Sequence, residues 1–323
     1  MESDTKNKQS KDNILKMLQS AFGEAVPSRE LSIKELTEGC FNAAYQIVLP
    51  DREMILKIAP PDVSGLMLYE NNIMRAEVDA LRLVKANTTL PVPKVFFYDD
   101  THSICSSDYF FMEKLSGKSF SKMRFEEGMP EDQIENILNE IGRYNAEMNK
   151  IKGTCFGYIG QKEKQGLVWR DVFQSMMADI LTDGERVEIS LGIRYREARK
   201  LIDRASFSLD QVTNPQFVHG DLWEGNVFVT DGKISGMIDF ERAIWGDPLM
   251  ENFFRLHCRS ASYAKGYGRD LREEAPIRAL LYDMYLYLIM VIETKYRNYP
   301  DDWQLQFATK ELMKTVNKLN ELL

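Results

Sequence analysis

The sequence predicts an α+β fold in which a small antiparallel sheet comes first and a mainly helical part follows. Apolar runs of strand length, separated by polar turns, occur up to residue 113, whereas later apolar residues recur at helical spacing. The chain has 323 residues, the length of about two domains. Its hydrophobic content of 44% is enough to form a sizeable core.

The first predicted element is a short helix. Ile14, Leu18 and Phe22 lie on one helical face, and Gly23 follows as a stop signal. Residues 1–11 are polar and charged and contain no aromatic side chain. We therefore expect a disordered leader before the helix.

The N-terminal sheet is predicted from five apolar runs bounded by turn residues. These runs are residues 31–36, 44–49, 54–58, 91–98 and 109–113. Between the third and the fourth lies a helical run at about residues 69–86. The sequence thus predicts strands with one helix inserted among them.

The helical part begins with an amphipathic helix. Pro130 and Asp132 are start signals, and apolar residues from Ile134 to Ile151 define one face over about five turns. Beyond residue 250 we predict further helices, among them a buried one at about residues 277–297 and an amphipathic one at the end.

The intervening region, residues 167–210, is charged and helical. Trp169, Phe173 and Met177 recur every four residues, which predicts a buried face. The acidic side chains of this region could face a cationic substrate or water, and solvation is the usual outcome; they are Asp171, Asp179, Asp183, Glu185 and Glu188.

One stretch, residues 217–248, contains the most specific chemistry. Asp221 is followed by Asn226 five residues later, and by Asp239 after a Thr-Asp-Gly turn between two apolar runs. This arrangement predicts a β-hairpin that returns Asp239 to the side of Asn226. Carboxylate and amide oxygens then converge as a hard cation such as Mg²⁺ requires.

This stretch resembles the catalytic and metal loops of the aminoglycoside phosphotransferase and choline kinase-like family of small-molecule kinases. Residues 219–222 (HGDL) with Asn226 match the family pattern H-G-D-x-x-x-x-N, and residues 238–241 (IDFE) match D-[FW]-E. Either motif alone would be weak, but both at this spacing are specific. The structural alternative is ordinary turn carboxylates in a β-meander.

The resemblance implies a two-lobed protein-kinase-like fold with ATP in the cleft between the lobes. Residues 1–112 would form the N-terminal nucleotide-binding lobe, and residues 113–323 the catalytic and substrate-binding lobe. The implied activity is ATP- and Mg²⁺-dependent transfer of phosphate to a hydroxyl group of a small molecule.

The resemblance also assigns catalytic roles. Asp221 would accept a hydrogen bond from the acceptor hydroxyl and take its proton, while Asn226 and Asp239 would hold Mg²⁺. His219 is interpreted as a loop-packing residue rather than as a base.

The nucleotide phosphates are assigned to the N-terminal lobe. Gly39 and Asn42, in the loop between the first two strands, would approach them, although protein kinases carry three glycines in this loop. Lys57 would contact the phosphates and pair with Glu77 on the following helix, with Glu70 as the alternative partner.

The adenine is assigned to the hinge between the lobes. Met112 would border the purine, and backbone groups near Glu113 and Leu115 would bind its edge. The helix that follows departs from the family at Asn149, where a histidine is usual.

Two other functions fit parts of this pattern. A protein kinase would carry Arg in place of Gly220 and a long segment ending in A-P-E, and this sequence has neither. A catalytically inactive nucleotide-binding module would have lost a member of the essential set. That set is complete: Lys57, Asp221, Asn226 and Asp239.

The identity of the acceptor follows from no short motif. Residues near the catalytic stretch could contribute to its binding, although the last two could instead brace the lobe; they are Trp223, Glu224, Glu241, Asp247 and Glu251. The net charge of −8 argues against nucleic acid or an anionic membrane as the main partner.

The cysteine spacing and the apolar stretches indicate the cellular compartment. The 4 cysteines are scattered without metal-ligand spacing, no export signal opens the sequence, and the most apolar stretch is too short to span a membrane. We therefore expect a soluble cytoplasmic protein.

Overall fold

The computed structural model describes residues 6–23, 31–37, 41–61, 65–258, 260–271, 274–299 and 301–323. The strands of the N-terminal sheet are β1 (Ser32–Leu36), β2 (Ala43–Leu49), β3 (Arg52–Ile58), β4 (Val95–Asp99) and β5 (Tyr109–Glu113). They are antiparallel in the order β1-β2-β3-β5-β4. The predicted antiparallel sheet is confirmed.

Helix α1 (Lys11–Phe22) covers one face of this sheet. Ser10 caps it by accepting a hydrogen bond from the Asn13 amide, and Gly23 ends it at a φ of 82°. Its buried side chains share a core with alternate strand residues such as Leu56 and Phe111. The predicted helix is confirmed.

The segment before α1 is anchored where it is described. The side-chain amide of Asn7 donates to Ser107 Oγ (2.9 Å), and the Gln9 backbone amide donates to the Tyr45 hydroxyl (2.9 Å). The expected disordered leader is therefore wrong for residues 6–11, because polar contacts attach them to the sheet. Residues 1–5 lie outside the described part of the chain.

Helix α2 (Ile73–Asn87) packs on the other face of the sheet. It begins at Ile73 rather than near residue 69, because Asn72 has a φ of 58° and interrupts the helical run. The preceding residues form a separate 3-10 helix, Leu68–Glu70.

Two more elements are shorter than predicted. Strand β4 starts at Val95 rather than at residue 91, because Pro91 and Pro93 lack the amide hydrogen that a sheet ladder needs. Helix α4 (Glu131–Met148) ends before Ile151, which lies half-buried beyond it.

The rest of the chain is mainly helical, which confirms the predicted α+β class. Its other helices are α3 (Phe120–Phe125), α5 (Trp169–Arg186), α6 (Tyr195–Ala205), α7 (Asn252–Leu256), α8 (Ala261–Tyr267), α9 (Pro276–Arg297) and α10 (Trp303–Leu322). Trp169, Phe173 and Met177 are buried as predicted. No helix within the described ranges is both long and apolar enough to cross a bilayer.

One acidic residue of α5 differs from its predicted solvated position. Asp183 is fully buried, and its carboxylate accepts a hydrogen bond from the Leu68 amide (2.7 Å). Gln161 also donates to the Leu68 (3.0 Å) and Tyr69 (2.9 Å) carbonyl oxygens. The carboxylate is buried because it ties the helical part to the segment that leads into α2.

Two small sheets carry the loops of the candidate site. Their strands are β6 (Lys118–Ser119), β7 (Gly157–Tyr158), β8 (Gln216–Val218), β9 (Val227–Thr230), β10 (Lys233–Met237) and β11 (Ile244–Gly246). The first sheet has the order β10-β9-β6, and the second has the order β7-β11-β8.

Candidate active site

The β9-β10 hairpin brings the two sequence motifs together. Its turn residues Asp231 and Gly232 have φ values of 49° and 71°, as a two-residue hairpin turn favours. Beyond the strands, the Ile238 amide donates to the Asn226 carbonyl oxygen (3.0 Å). The predicted return of Asp239, the next residue, to the side of Asn226 is confirmed.

Asp221 lies half-buried in the loop after β8. The side-chain amide of Asn226 donates to the Asp221 carbonyl oxygen (2.9 Å) and to its Oδ2 (3.1 Å). Burial raises the pKa of the Asp221 carboxyl to about 7; the charge of Arg242 opposes this rise and that of Asp239 adds to it. This side chain can therefore exchange a proton near neutral pH.

His219 is enclosed, with no exposed surface. Its Nδ1 accepts a hydrogen bond from the Asp221 amide (3.2 Å), so the ring proton is on Nε2, which donates to the Ile238 carbonyl oxygen (3.0 Å). Burial lowers the pKa of His219 to about 4. The predicted loop-packing role is confirmed, because the neutral ring ties the loop of Asp221 to the segment before Asp239.

Lys57 reaches the site from β3. Its Nζ donates to Glu77 Oε1 (2.7 Å) and is also hydrogen-bonded to Asp239 Oδ1. Burial alone would lower the pKa of Lys57, but the carboxylates of Asp239 and Glu77 raise it above its usual range, so the lysine stays charged. The predicted pair of Lys57 with Glu77 is confirmed.

The alternative partner, Glu70, has other contacts. Its carboxylate binds Arg297 and accepts a hydrogen bond from the Met67 amide (2.8 Å). Glu70 lies in the 3-10 helix before α2, outside the helix that presents Glu77 to Lys57.

The donor set of the two loops fits a hard divalent cation. The Asn226 amide nitrogen is engaged with Asp221, so its side-chain oxygen remains as a ligand, and Asp239 has a second carboxylate oxygen beyond the one at Lys57. Among the described residues, no group of three or more His, Cys, Asp or Glu is arranged to hold a metal alone. Mg²⁺ is usually bound by one or two protein side chains, and phosphate oxygens of the substrate complete its coordination shell.

The phosphate loop is described in part. Gly39 lies outside the described residues. The side-chain amide of Asn42, predicted as a phosphate donor, donates to Glu241 Oε2 (3.0 Å). This contact joins the loop between β1 and β2 to the D-F-E motif.

The hinge follows β5 as predicted. Met112 is buried between Ile55 of β3 and Val95 of β4. The Glu113 amide donates to the Lys94 carbonyl oxygen (2.8 Å). The Leu115 side chain packs against Gly236, where a Cβ atom would lie 2.5 Å from the leucine. Any use of the Glu113 backbone by a ligand would thus involve its carbonyl group.

The sequence left two roles possible for Glu251 and Asp247, binding of the acceptor or bracing of the lobe. In the structure both residues make bracing contacts. Glu251 Oε1 accepts from the His219 (2.6 Å) and Gly220 (3.2 Å) amides and so holds the loop of Asp221. Asp247 accepts from the Leu249 amide (3.1 Å) and from Arg278 Nε (2.7 Å) and the Tyr282 hydroxyl (3.0 Å).

The other acceptor candidates differ in exposure. Trp223 is 41% exposed, and its ring lies edge-on to Phe253. Glu224 is buried and paired with Arg124. The site leaves Trp223 as the open side chain on the loop of Asp221.

Two residues that support the site were not predicted from the sequence. Asn149, at the family's usual histidine position, donates to the Phe217 carbonyl oxygen (2.7 Å) and so supports the strand before His219. Arg242 follows the D-F-E motif directly, and its charge acts on Asp221. That adjacency was the available signal for Arg242, whereas the role of Asn149 required the fold.

Comparison with known proteins identifies the family of this chain. The model of the phosphotransferase enzyme family matches residues 32–280 of the chain. No curated protein sequence matches the chain.

Solved structures share the fold. A putative fructosamine-3-kinase from Haemophilus somnus 129PT aligns at a TM-score of 0.67 and 18% identity, over 94% of this chain and 96% of that one. A thermostable mutant of the aminoglycoside phosphotransferase APH(4)-Ia aligns at 0.65 and 19%, over 94% and 98%. A putative aminoglycoside phosphotransferase from Ralstonia eutropha JMP134 aligns at 0.64 and 16%, over 97% and 98%.

Proposed function

The chain belongs to the phosphotransferase enzyme family, and from this premise we propose that it transfers the γ-phosphate of ATP to a hydroxyl group of a small molecule with the help of Mg²⁺. One observation carries the proposal. Asp221, Asn226 and Asp239 converge on one cleft edge, and the Lys57–Glu77 pair closes on Asp239. Phosphoryl transfer needs this combination of an acceptor-orienting carboxylate, metal ligands and a phosphate-binding cation.

Asp221 is proposed as the residue that orients the acceptor hydroxyl and takes its proton. Its raised pKa of about 7 lies near neutral pH, where a base with such a pKa is effective. The Asn226 amide fixes the carboxylate, and Glu251 fixes the loop that carries it. Positioning of this kind accounts for much of the catalysis in phosphoryl transfer.

The metal would be held by the Asn226 side-chain oxygen and the Asp239 carboxylate. Bound Mg²⁺ supplies charge neutralisation at phosphate oxygens. Lys57 would bind the phosphates, and Glu77 keeps its ammonium group directed towards the cleft. Gly39 and Asn42 complete the proposed phosphate site.

We assign residues 1–112 to a nucleotide-binding lobe and residues 113–323 to a catalytic lobe. The hinge carries the proposed adenine contacts at Met112, the Glu113 carbonyl group and the Leu115 amide. The engagement of the Glu113 amide with Lys94 supports this choice of backbone atoms.

The proposed acceptor is an aminoglycoside-like antibiotic or another hydroxyl-bearing metabolite. A mutant of APH(4)-Ia was crystallised with ADP and hygromycin B, at a TM-score of 0.66 to this chain and 18% identity. That likeness supports a nucleotide and a small-molecule hydroxyl as the two substrates.

The two alternative functions are less well supported. An arginine in place of Gly220, as in protein kinases, has no room: a Cβ atom there would lie 2.3 Å from the Arg242 carbonyl oxygen, at a φ of 81°. For an inactive module, the contacts of Lys57, Asn226 and Asp239 would have no evident purpose.

The test is a paired measurement on wild type and Asp221→Asn. Wild type is screened for ATP- and Mg²⁺-dependent phosphorylation of antibiotics and hydroxyl-bearing metabolites. With the acceptor identified, the variant should lose ~10²- to 10⁴-fold in turnover, because it has no base. Its ATP affinity should stay within a few fold.

Two results would count against the proposal. Equal turnover by Asp221→Asn and wild type would remove Asp221 from the mechanism. A parallel collapse of ATP binding and turnover would show that Asp221 is a metal ligand or a folding residue.

A further inference from the structure

A largely buried group of charged and aromatic side chains adjoins the loop of Asp221 and, apart from the charge of Arg242 on Asp221, has no role in the proposed chemistry. We call it the arginine cluster; it consists of Tyr69, Glu70, Arg242, Glu293 and Arg297. The Arg242 carbonyl oxygen would lie 2.3 Å from a Cβ atom at Gly220, the residue before Asp221. Through the backbone of Arg242 the cluster adjoins the loop that carries Asp221.

The carboxylate oxygens of the cluster are all engaged. Glu293 accepts from Arg242 Nη2 (3.3 Å) and from Gln304 Nε2 (2.6 Å). Glu70 accepts from Arg297 and from the Met67 amide (2.8 Å). Each arginine therefore has one carboxylate, and no carboxylate oxygen of the cluster is left for a cationic ligand.

Two hydrogen-bond donors in the cluster are not engaged. Arg297 Nη1 and the Tyr69 hydroxyl are buried without a hydrogen-bond partner among the described residues. Arg297 is only 5% exposed and Tyr69 only 3%. A buried unsatisfied polar group typically costs about 1–3 kcal/mol, so both atoms require an acceptor of hydrogen bonds.

The geometry holds both donors in place. The Arg297 guanidinium lies 4.5 Å above the Phe41 ring, at the edge of the phosphate loop. The Tyr69 ring is stacked on Tyr158 at 6.2 Å, with the Arg242 guanidinium 5.4 Å from its centroid. Planar guanidinium groups beside a phenol are suited to a carboxylate or phosphate oxygen.

We propose that Arg297 and Tyr69 bind an oxyanion of the acceptor, so that the substrate is a hydroxyl compound that also carries a carboxylate or phosphate group. This inference rests on the proposed phosphotransferase function. The nucleotide phosphates are the other source of such an oxyanion. The contact of Arg297 with Phe41 lies at the phosphate loop and would suit the nucleotide. The acceptor is favoured because Arg242 joins the cluster to the loop of Asp221 and because Lys57 is already the cation proposed for the nucleotide.

Two substitutions test the subsite with little risk to the fold. Arg297→Lys keeps a cation for Glu70 but removes the second terminal nitrogen, and Tyr69→Phe removes only the hydroxyl. Arg199→Lys is the control, because Arg199 forms an exposed pair with Glu185. Matched acceptors are glycerate against glyceramide and glycerol phosphate against glycerol, each with ATP and Mg²⁺; hygromycin B serves as a cationic comparison.

We expect wild type to prefer the acidic member of each pair by at least ~10-fold in kcat/KM, the effect of one charge-assisted hydrogen bond of about 1.4 kcal/mol. Both variants should lose this preference through KM, with kcat and ATP affinity little changed. The control should behave as wild type.

Binding without turnover separates this inference from the proposed function. Calorimetry with glycerate and with inorganic phosphate is performed on protein saturated with Mg²⁺ and a non-hydrolysable ATP analogue. If wild type binds these oxyanions and both Arg297→Lys and Tyr69→Phe bind them more weakly, the subsite is supported. A failure to phosphorylate any acceptor would then count only against the proposed function. Three results would overturn the inference. The first is that wild type prefers hygromycin B or the neutral member of each pair. The others are that both variants bind the oxyanion as wild type does, or that they bind ATP more weakly while their oxyanion binding is unchanged.

Discussion

The carboxylates of the proposed site, which we call the cleft (Asp221, Asp239 and Glu77), are used differently from that of Asp247, which we call the frame. In the frame, Asp247 receives hydrogen bonds from Leu249, Arg278 and Tyr282, so both of its oxygens are engaged within the protein. In the cleft, Asp221 receives only the Asn226 side-chain amide in the described structure. Asp239 and Glu77 share one lysine.

This difference separates support from chemistry. A carboxylate whose oxygens are all engaged is fixed and gains little from a ligand, whereas one with free lone pairs can bind a metal or accept a proton. Two carboxylates beside the site, Glu77 and Glu251, each keep one buried oxygen without a partner in the described part of the chain. The comparison predicts that substitutions in the cleft change activity and that those in the frame change stability.

The largest expected effect is in the cleft, at Asp239. Asp239→Ala removes the proposed metal ligand and one of the two carboxylates of Lys57, so Mg²⁺-dependent nucleotide turnover should become undetectable. Far-UV circular dichroism should stay that of wild type, because Asp239 has a 34% exposed side chain. Retained turnover across a titration of Mg²⁺ would show that the metal is held elsewhere.

A frame substitution should give the opposite pattern. Asp247→Ala removes a buried carboxylate from partly buried Arg278 and from the buried Tyr282 hydroxyl. Because Arg278 keeps its bonds to Ser208 and Gln211, we expect a loss of about 1–3 kcal/mol of the free energy of unfolding. Turnover per folded molecule, measured well below the unfolding temperature, should change less than about 3-fold, because Asp247 contacts no proposed ligand atom.

Urea unfolding of this variant is compared with that of Asp171→Ala, in which an exposed carboxylate of α5 is removed. That control should remain within about 0.5 kcal/mol of wild type. A full loss of activity in folded Asp247→Ala, with unaltered stability, would mean that the distinction between frame and cleft does not hold.

Local patterns were enough to predict much of the fold. The turn at Asp231 and Gly232 was visible as a hairpin signal, and it determined where Asp239 returns. The pair of Lys57 and Glu77 was implied by the family resemblance, and the strand position of Lys57 and the helix position of Glu77 agree with it.

Contacts between distant segments could not be predicted in this way. Arg297 and Glu70 are separated by 227 residues, and the pair exists only because α9 ends beside the segment before α2. Asp183 was expected in solvent since its helix is charged, yet packing against Leu68 buries it. Such roles depend on how elements meet, which neither spacing nor composition records.

The smallest expected effect concerns the cost of keeping Asp221 ready for proton transfer. Its pKa rises from an ordinary value of 3.8 to about 7 in the folded protein, chiefly through burial. Between about pH 4 and pH 7 the folded state therefore binds more protons than the unfolded state, and Asp221 lowers the stability as the pH rises through this window. Asp221→Asn carries no such charge, so it should match wild type near pH 4 and be more stable at pH 8.

We expect a difference of ~2 kcal/mol at pH 8, well below the full value of the shift because the side chain is partly solvated. Urea unfolding of both proteins at pH 4, 6 and 8 measures this difference. A difference that stays constant from pH 4 to pH 8, or that favours wild type at pH 8, would show that Asp221 is stabilised as an anion. The proposed use of Asp221 as the base would then lose its electrostatic support.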